Sequence, residues 1–381
     1  MAICLSHSGK TIYAANSPAK EMLVGTVNGV LFLRRESIDR PWDITKGSLE
    51  GKHVVALLIE PESGTIFASM HNGGIMASDD GGKTWKSRCA GIPYENVYCL
   101  ASSSVGGRHT IYCGTEPAHL YFSTDLGRTW EEIQSLLNVP SAKNWTFPVP
   151  PHLGHLKDIS IHPTDPKTIY VCVEQGGVFR TNDGGKTWKE LHASLKNDDC
   201  HRLVMLRSQP SKMFLPTGYG FYWSTNGGDS WENIGQRVSR LIYPDPLVIN
   251  PNNERLVFMS GASASPHSWL VSHSADPKIA CSRDGGLTWQ VVDRGIPDHL
   301  NASFEAMSLE AWDGRCAVYA GNTDGDIYGT FDEGETWNKV AEGLPPISKT
   351  IHHAILRPEA GNQDDRVTVG GISLVSRYQY E

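Results

Sequence analysis

The chain has eight cysteines but no CxxC pair, no apolar run near the roughly 18 residues of a membrane-spanning helix, and no excess of basic residues. Each shortfall excludes something. Without paired cysteine spacing a zinc knuckle is not expected. The thiols stand singly inside apolar runs such as VYCLA, IYCGT, YVCVE and IACSR, as buried free cysteines of a reducing compartment do. Lys plus Arg number 34 against 42 Asp plus Glu, a formal net charge of −8, so the concentrated basic face of a nucleic-acid binder is not expected. The first residues, MAICLSHSGKTIYAANS, lack the basic start and long apolar stretch of a secretory signal, which predicts a cytoplasmic protein with no membrane attachment. What the chain has in plenty is glycine (38) and proline (22), spread along a sequence that is 39% hydrophobic. That mix suits many short strands joined by turns around a real core.

One octapeptide recurs six times: SDDGGKTW (78–85), STDLGRTW (123–130), TNDGGKTW (181–188), STNGGDSW (224–231), SRDGGLTW (282–289) and TFDEGETW (330–337). The closing tryptophans stand 45, 58, 43, 58 and 48 residues apart. Each unit reads as four short strands, A to D. In the unit around Trp85 these are HVVALLIEP, TIFASMH, GIMAS and WKSR, separated by turn residues. Four-stranded units at this period predict an all-β fold, the blades of a β-propeller. Residues 1–381 then form one domain, with six box-bearing blades over about 52–340. Residues 22–50 supply strands B, C and D of a seventh blade, and IHHAILRP (351–358) its strand A, so that N- and C-terminal strands of the closing segments 22–50 and 351–381 shut the ring. TIYAAN near the start and RVTVGGISLVSRY at the end keep eight blades as an alternative.

The pattern S/T-x-D/N-x-G-x-T/S-W resembles the Asp-box, or BNR repeat, of the sialidase-like superfamily, which includes sortilin-like receptors, several glycoside hydrolases and photosystem assembly factors. The likeness covers roughly residues 22–340. It implies that the box forms the turn from strand C to strand D, its acid accepting backbone N–H groups as an Asx turn does, while the tryptophan packs between sheets. Asn226 replaces the acid in one copy, which a structural turn tolerates and a catalytic acid does not. Asp80, Asp125, Asp183, Asp284 and Asp332 are therefore read as turn formers. Sialidases carry an FRIP-like arginine motif before the first box; this chain has LFLRRES there, so sialidase activity itself is not expected.

The box also sets which way up each blade sits, and this brings the starts of strand A and the B–C loops to one mouth of the central channel. Histidine recurs at those starts: His53 in KHVVALL, His155 in GHLKDIS, His201 in CHRLVML, and His352 and His353 in IHHAIL. Imidazoles converging from several blades suit a transition metal (Cu, Zn, Fe or Ni), with Glu174, Asp158 or Glu305 orienting a ligand. The B–C loops add His71, Glu116 and His119. Two long insertions, 144–154 and 263–278, bring Trp145, Phe147, Trp269 and His273 over the same face, as a cover for a small organic or saccharide substrate. Arg202, like Lys157, is placed to pair with an anionic group. Three functions compete: a metal-assisted enzyme at the mouth; a metal-independent glycoside hydrolase using paired carboxylates among Glu116, Glu174 and Glu305; and a non-catalytic binding or assembly scaffold.

Overall fold

The computed structural model describes residues 2–104, 107, 109–238 and 240–357, with two short strands beyond them, Thr368–Val369 and Ile372–Ser373. Seven sheets, antiparallel except where the N-terminal segment joins them, follow one another along the chain and form a seven-bladed propeller, not an eight-bladed one. Blade 2 is typical: His53–Ile59, Ile66–His71, Gly74–Ser78 and Lys86–Ser87 are its strands A to D. Strand A is buried almost throughout and D is exposed, so the apolar residues lie between neighbouring sheets and toward the axis. No helix among the described residues is long and apolar enough to cross a membrane.

The repeated box builds the C–D turn in each of blades 2 to 7. Asp80 Oδ1 accepts the Lys83 and Thr84 amides at 3.0 and 2.9 Å, and Oδ2 accepts the Thr84 hydroxyl at 2.7 Å. Asn226 keeps the geometry: Oδ1 accepts the Ser230 amide at 3.0 Å and Nδ2 donates to the Ser230 hydroxyl at 2.9 Å. The box also sets blade against blade. Trp130 donates its indole N–H to the Arg88 carbonyl of the preceding blade at 2.9 Å. Gly82 has φ 78°, and a Cβ there would stand 2.2 Å from the Phe32 ring of blade 1, so both conformation and space demand glycine.

The ring closes differently from the sequence expectation. IHHAIL is no strand; His352–Leu356 is a helix. The apolar residues Ile351, Ile355 and Leu356 recur at helical spacing and pack with Trp269, Tyr243 and Ala275. Pro358 and most of 358–381 lie outside the described residues; the two short strands there pair only with each other. Strand A of blade 1 comes instead from the N-terminus, Ala2–Leu5, running parallel to Glu21–Thr26. The same segment continues across the channel: Ser8–Gly9 pairs with blade 2 and Ile12–Ala15 with strand A of blade 7, both parallel. A buried ion pair holds the junction, Arg35 of blade 1 with Glu310 of blade 7 at 2.7 Å. Arg35 also stacks on Trp42, 4.3 Å from the ring centroid, and Glu310 accepts the Ala19 amide at 2.6 Å.

Candidate functional site

The channel mouth is organised by a defect repeated in strand A. In five blades the A–B register slips near the strand start: between Val54 and Ala56, Val97 and Cys99, Leu156 and Asp158, Pro244 and Leu247, and Phe304 and Ala306. A bulge leaves one residue unpaired and re-aims its side chain. The residues so released include Tyr98, Lys157, Asp245 and Glu305, and all four belong to the polar network at the mouth.

Glu174, at the end of strand B of blade 4, is the centre of that network. It is buried, and its Oε2 lies 2.5 Å from Lys157 Nζ and accepts a hydrogen bond from His155 Nε2 at 3.0 Å. Lys157 also faces Asp245 at 3.5 Å, and Lys349 closes on Asp245 from the other side. Burial alone would raise the Glu174 carboxyl; the Lys157 ammonium, with help from His155 and His201, holds it well below the usual range. Asp245 is held low in the same way, burial being outweighed by Lys157 and Lys349. Opposite charges also drive Lys157 upward against the pull of its own burial. His155 is sandwiched, with Tyr98 stacked at 3.9 Å and Phe147 edge-on at 4.8 Å; its Nδ1 lies 3.7 Å from Glu116.

Beside this ion-pair chain lies a group of three that is not balanced. His201 donates Nδ1–H to the Pro244 carbonyl at 2.7 Å, which leaves Nε2 as the ring atom open to another partner. Nε2 faces two carboxylates, Asp199 at 3.4 Å and Glu174 at 3.8 Å. His201 Nε2 and Asp199 Oδ1 are both buried without a hydrogen-bond partner. One donor atom from each of Glu174, Asp199 and His201 lies within 4.8 Å of the others, a spacing that can hold a metal ion. Gly218 makes room for the aspartate, since a Cβ there would stand 2.0 Å from Asp199 Oδ2.

The other histidines do not join this centre. His53 and His71 pack edge to face at 4.7 Å, and each donates Nε2–H to a backbone carbonyl at 2.7 Å, of Ser348 and Lys349 respectively. Burial lowers His53 to about 4 and His71 to about 3. His352 donates to Glu305 at 2.5 Å, and His353 to the Thr350 carbonyl at 3.1 Å. Glu305 also accepts the Lys349 amide at 2.8 Å, and its carboxyl, raised by burial but lowered more by His352 and Lys349, rests at about 2. The four-histidine ligand set expected from the strand starts is thus divided, because the segment 347–357 folds over the mouth and uses its polar groups.

Among the remaining expected residues, Phe147 reaches the centre while Trp145 packs on Phe179 at 5.2 Å. Trp269 is wholly buried against His352 at 5.0 Å and offers no face to a substrate. His273 bonds the Ile355 carbonyl at 3.3 Å. His119 is tied to Glu132 at 2.5 Å and Tyr94 at 3.0 Å, away from the cluster. Arg202 reaches the His7 carbonyl inside the channel. Asp199, Asp245, Tyr98 and Lys349 were not anticipated. The strand starts hold a signal for three of them: Tyr98 and Asp245 share the bulge position of Lys157 and Glu305, and Asp199 stands two residues before His201.

Seven four-stranded blades around a polar channel define a β-propeller protein. The family model Sortilin-Vps10 (sortilin, neurotensin receptor 3) matches at residues 118–270 and 176–308, together half of the chain, and the chain belongs to that family. Among curated relatives, the photosystem II assembly lipoprotein Ycf48 of Synechococcus sp. (strain CC9902) is 24% identical over 329 residues, covering 84% of this chain and 87% of the relative. The xyloglucanase Xgh74A of Acetivibrio thermocellus is 26% identical over 270 residues; that match covers 61% of this chain but 31% of the enzyme. The chain thus spans about a third of the xyloglucanase. Of solved structures, the GH74 enzyme of Niastella koreensis superposes with TM-score 0.59 at 18% identity, over 88% of this chain and 55% of that one. Ycf48 bound to D1 peptide gives TM-score 0.51 at 15% identity, over 86% and 87%. These likenesses show the fold.

Proposed function

We propose that the chain is a metal-assisted enzyme of the Asp-box superfamily, acting on a small saccharide at the channel mouth. Its metal ligands are Glu174, Asp199 and His201. The observation that carries this reading is His201 Nε2, buried without a hydrogen-bond partner and facing the two carboxylates of Asp199 and Glu174 at 3.4 and 3.8 Å. A divalent cation among the three would answer both carboxylates and take the imidazole nitrogen as a third ligand, and an imidazole with carboxylates suits Zn, Fe, Cu or Ni. Three protein ligands leave coordination free, and such a metal supplies polarisation of a substrate oxygen or of water. His155 connects Glu174 to Glu116, which orients the Glu174 ligand and offers a path for a proton. The xyloglucanase relatives support a saccharide as the substrate class.

Elemental analysis of protein purified without chelator tests the reading. About one equivalent of a transition metal is expected, lost in Asp199→Asn and His201→Gln, together with chelator-sensitive release of sugar from xyloglucan oligosaccharides. A metal-free protein that gains no thermal stability from Zn, Fe, Cu or Ni salts overturns it. That result would favour a binding scaffold, which has its own support: the chain spans 87% of the Ycf48 relative's length, and its mouth is covered by its own segment 347–357.

A further inference from the structure

On the face opposite the mouth, a cavity of about 450 Å³ opens where strands A of blades 2 to 6 end. Gly9–Ile12 of the channel-crossing segment line one wall, so the N-terminus stands between this cavity and the cluster around Glu174. Three cationic side chains line the cavity: Lys10, Arg202 and Arg207.

Their charges are poorly answered. Neither Lys10 nor Arg207 has an ion-pair partner among the described residues. Burial lowers the Lys10 ammonium and Arg207 adds to that by repelling it, only partly offset by Cys4 and Glu60; Nζ stands 5.2 Å from the Tyr13 ring centroid. Arg202 is 7% exposed; it donates through Nη2 to the His7 carbonyl, while its Nε is buried with no partner. The carboxylates in the wall are already engaged. Glu60 accepts the Ser63 and Glu62 amides at 2.7 and 3.2 Å and faces His109 at 3.2 Å. Asp158 accepts the Leu203 amide at 3.0 Å. His162, also in the wall, has its Nδ1 occupied by the Asp165 amide at 3.2 Å. Serines 102 and 104 add hydroxyls at the rim. Three cations around one cavity, none in an ion pair of its own among the described residues and outnumbering the two acids of the wall, form a receptor for an outside anion.

We propose that this cavity binds a small organic oxyanion of about hexose size, with Lys10 and Arg207 receiving the charge and the Arg202 guanidinium completing it from below. A space of this volume lies within the range of small-molecule sites. The site is independent of the metal reading at the mouth.

Isothermal titration of the intact protein tests it, with glucose 6-phosphate, glucuronate, inorganic phosphate and neutral glucose as probes. Saturable binding of glucose 6-phosphate or glucuronate is expected, and the preferred one identifies phosphate or carboxylate as the recognised group. Lys10→Gln and Arg207→Gln should each weaken it about tenfold, whereas Lys86→Gln, on an exposed outer strand, should not. If neither acid binds more tightly than glucose, or if both cavity variants bind like the wild type, the assignment fails.

Discussion

Replacing Lys157 by methionine removes a cation that sits between two buried acids. Lys157 is 2% exposed, 2.5 Å from Glu174 and 3.5 Å from Asp245. Asp245 keeps Lys349, so the loss falls mainly on Glu174. Removing one partner of a buried pair leaves an uncompensated charge and costs about 3–5 kcal/mol. With an unfolding entropy of about 2.1 cal/mol/K per residue, a chain of 381 residues loses about 1.2 °C per kcal/mol, so the melting temperature falls by about 4–6 °C. The pH dependence gives a second check. In the wild type the folded Glu174 pKa lies below its usual 4.5, so its stabilisation is present above that value and lost only as pH falls through the depressed one. In K157M burial dominates, and the folded pKa rises above the unfolded one. The folded variant then binds more protons, and its stability falls as pH rises. Calorimetry at pH 5 and pH 7.5 should therefore show the deficit widening at the higher pH. Adding Glu174→Gln to K157M should restore about half of the loss, because the pair is coupled. A deficit below about 2 °C, or one equal at both pH values, refutes the account of the mouth as a charge-balanced chain.

Four further outcomes are expected. Arg35→Met unpairs Glu310 at the ring junction and should cost about 3–5 kcal/mol in denaturant unfolding, the largest loss from any single change in blade 1. His53 and His71, lowered to about 4 and about 3, bind fewer protons folded than unfolded. Stability should thus be full above about pH 6.5 and decline as pH falls toward 4; His53→Asn should flatten that decline in a pH series of melting temperatures. Asp125→Ala removes acceptors for the Thr129 amide and hydroxyl, at 2.9 and 2.7 Å, and should cost about 1–2 kcal/mol with no change in metal content, while Asp125→Asn costs less, as Asn226 indicates. Gly218→Ala drives a methyl into Asp199 and should abolish metal uptake with the fold intact by circular dichroism.

The blades were legible because their signals are local. Six boxes mark six C–D turns, and each box needs only its own acid, hydroxyl and glycines to form. The strand starts and B–C loops were legible for the same reason, which is why the sequence places His155, His201 and Glu174 at one mouth, where the structure has both histidines within reach of Glu174. The closing segment was misread because IHHAILRP suits a buried strand as well as a helix. The decision came from Trp269 and Ala275, remote in sequence, against which Ile355 and Leu356 pack. Asp199 escaped notice because it lies in an irregular approach to strand A, where no periodicity marks it.

By itself the sequence determined the architecture: a repeated turn, short alternating strands and their spacing admit little besides a propeller. Only the tertiary structure decided how the ring closes and which polar groups meet. Parallel pairing of residues 2–15 across the channel involves contacts nearly three hundred residues apart, as between His7 and the Glu305 carbonyl at 3.0 Å. Bulges in strand A turn Lys157, Asp245 and Glu305 to the mouth, and a bulge is a relation between two strands, not a property of one. The division of the histidines follows from that: a ring of strand starts predicts convergence, but backbone carbonyls of Ser348 and Lys349 had to arrive before His53 and His71 were taken and His201 was left with Nε2 unbonded among acids.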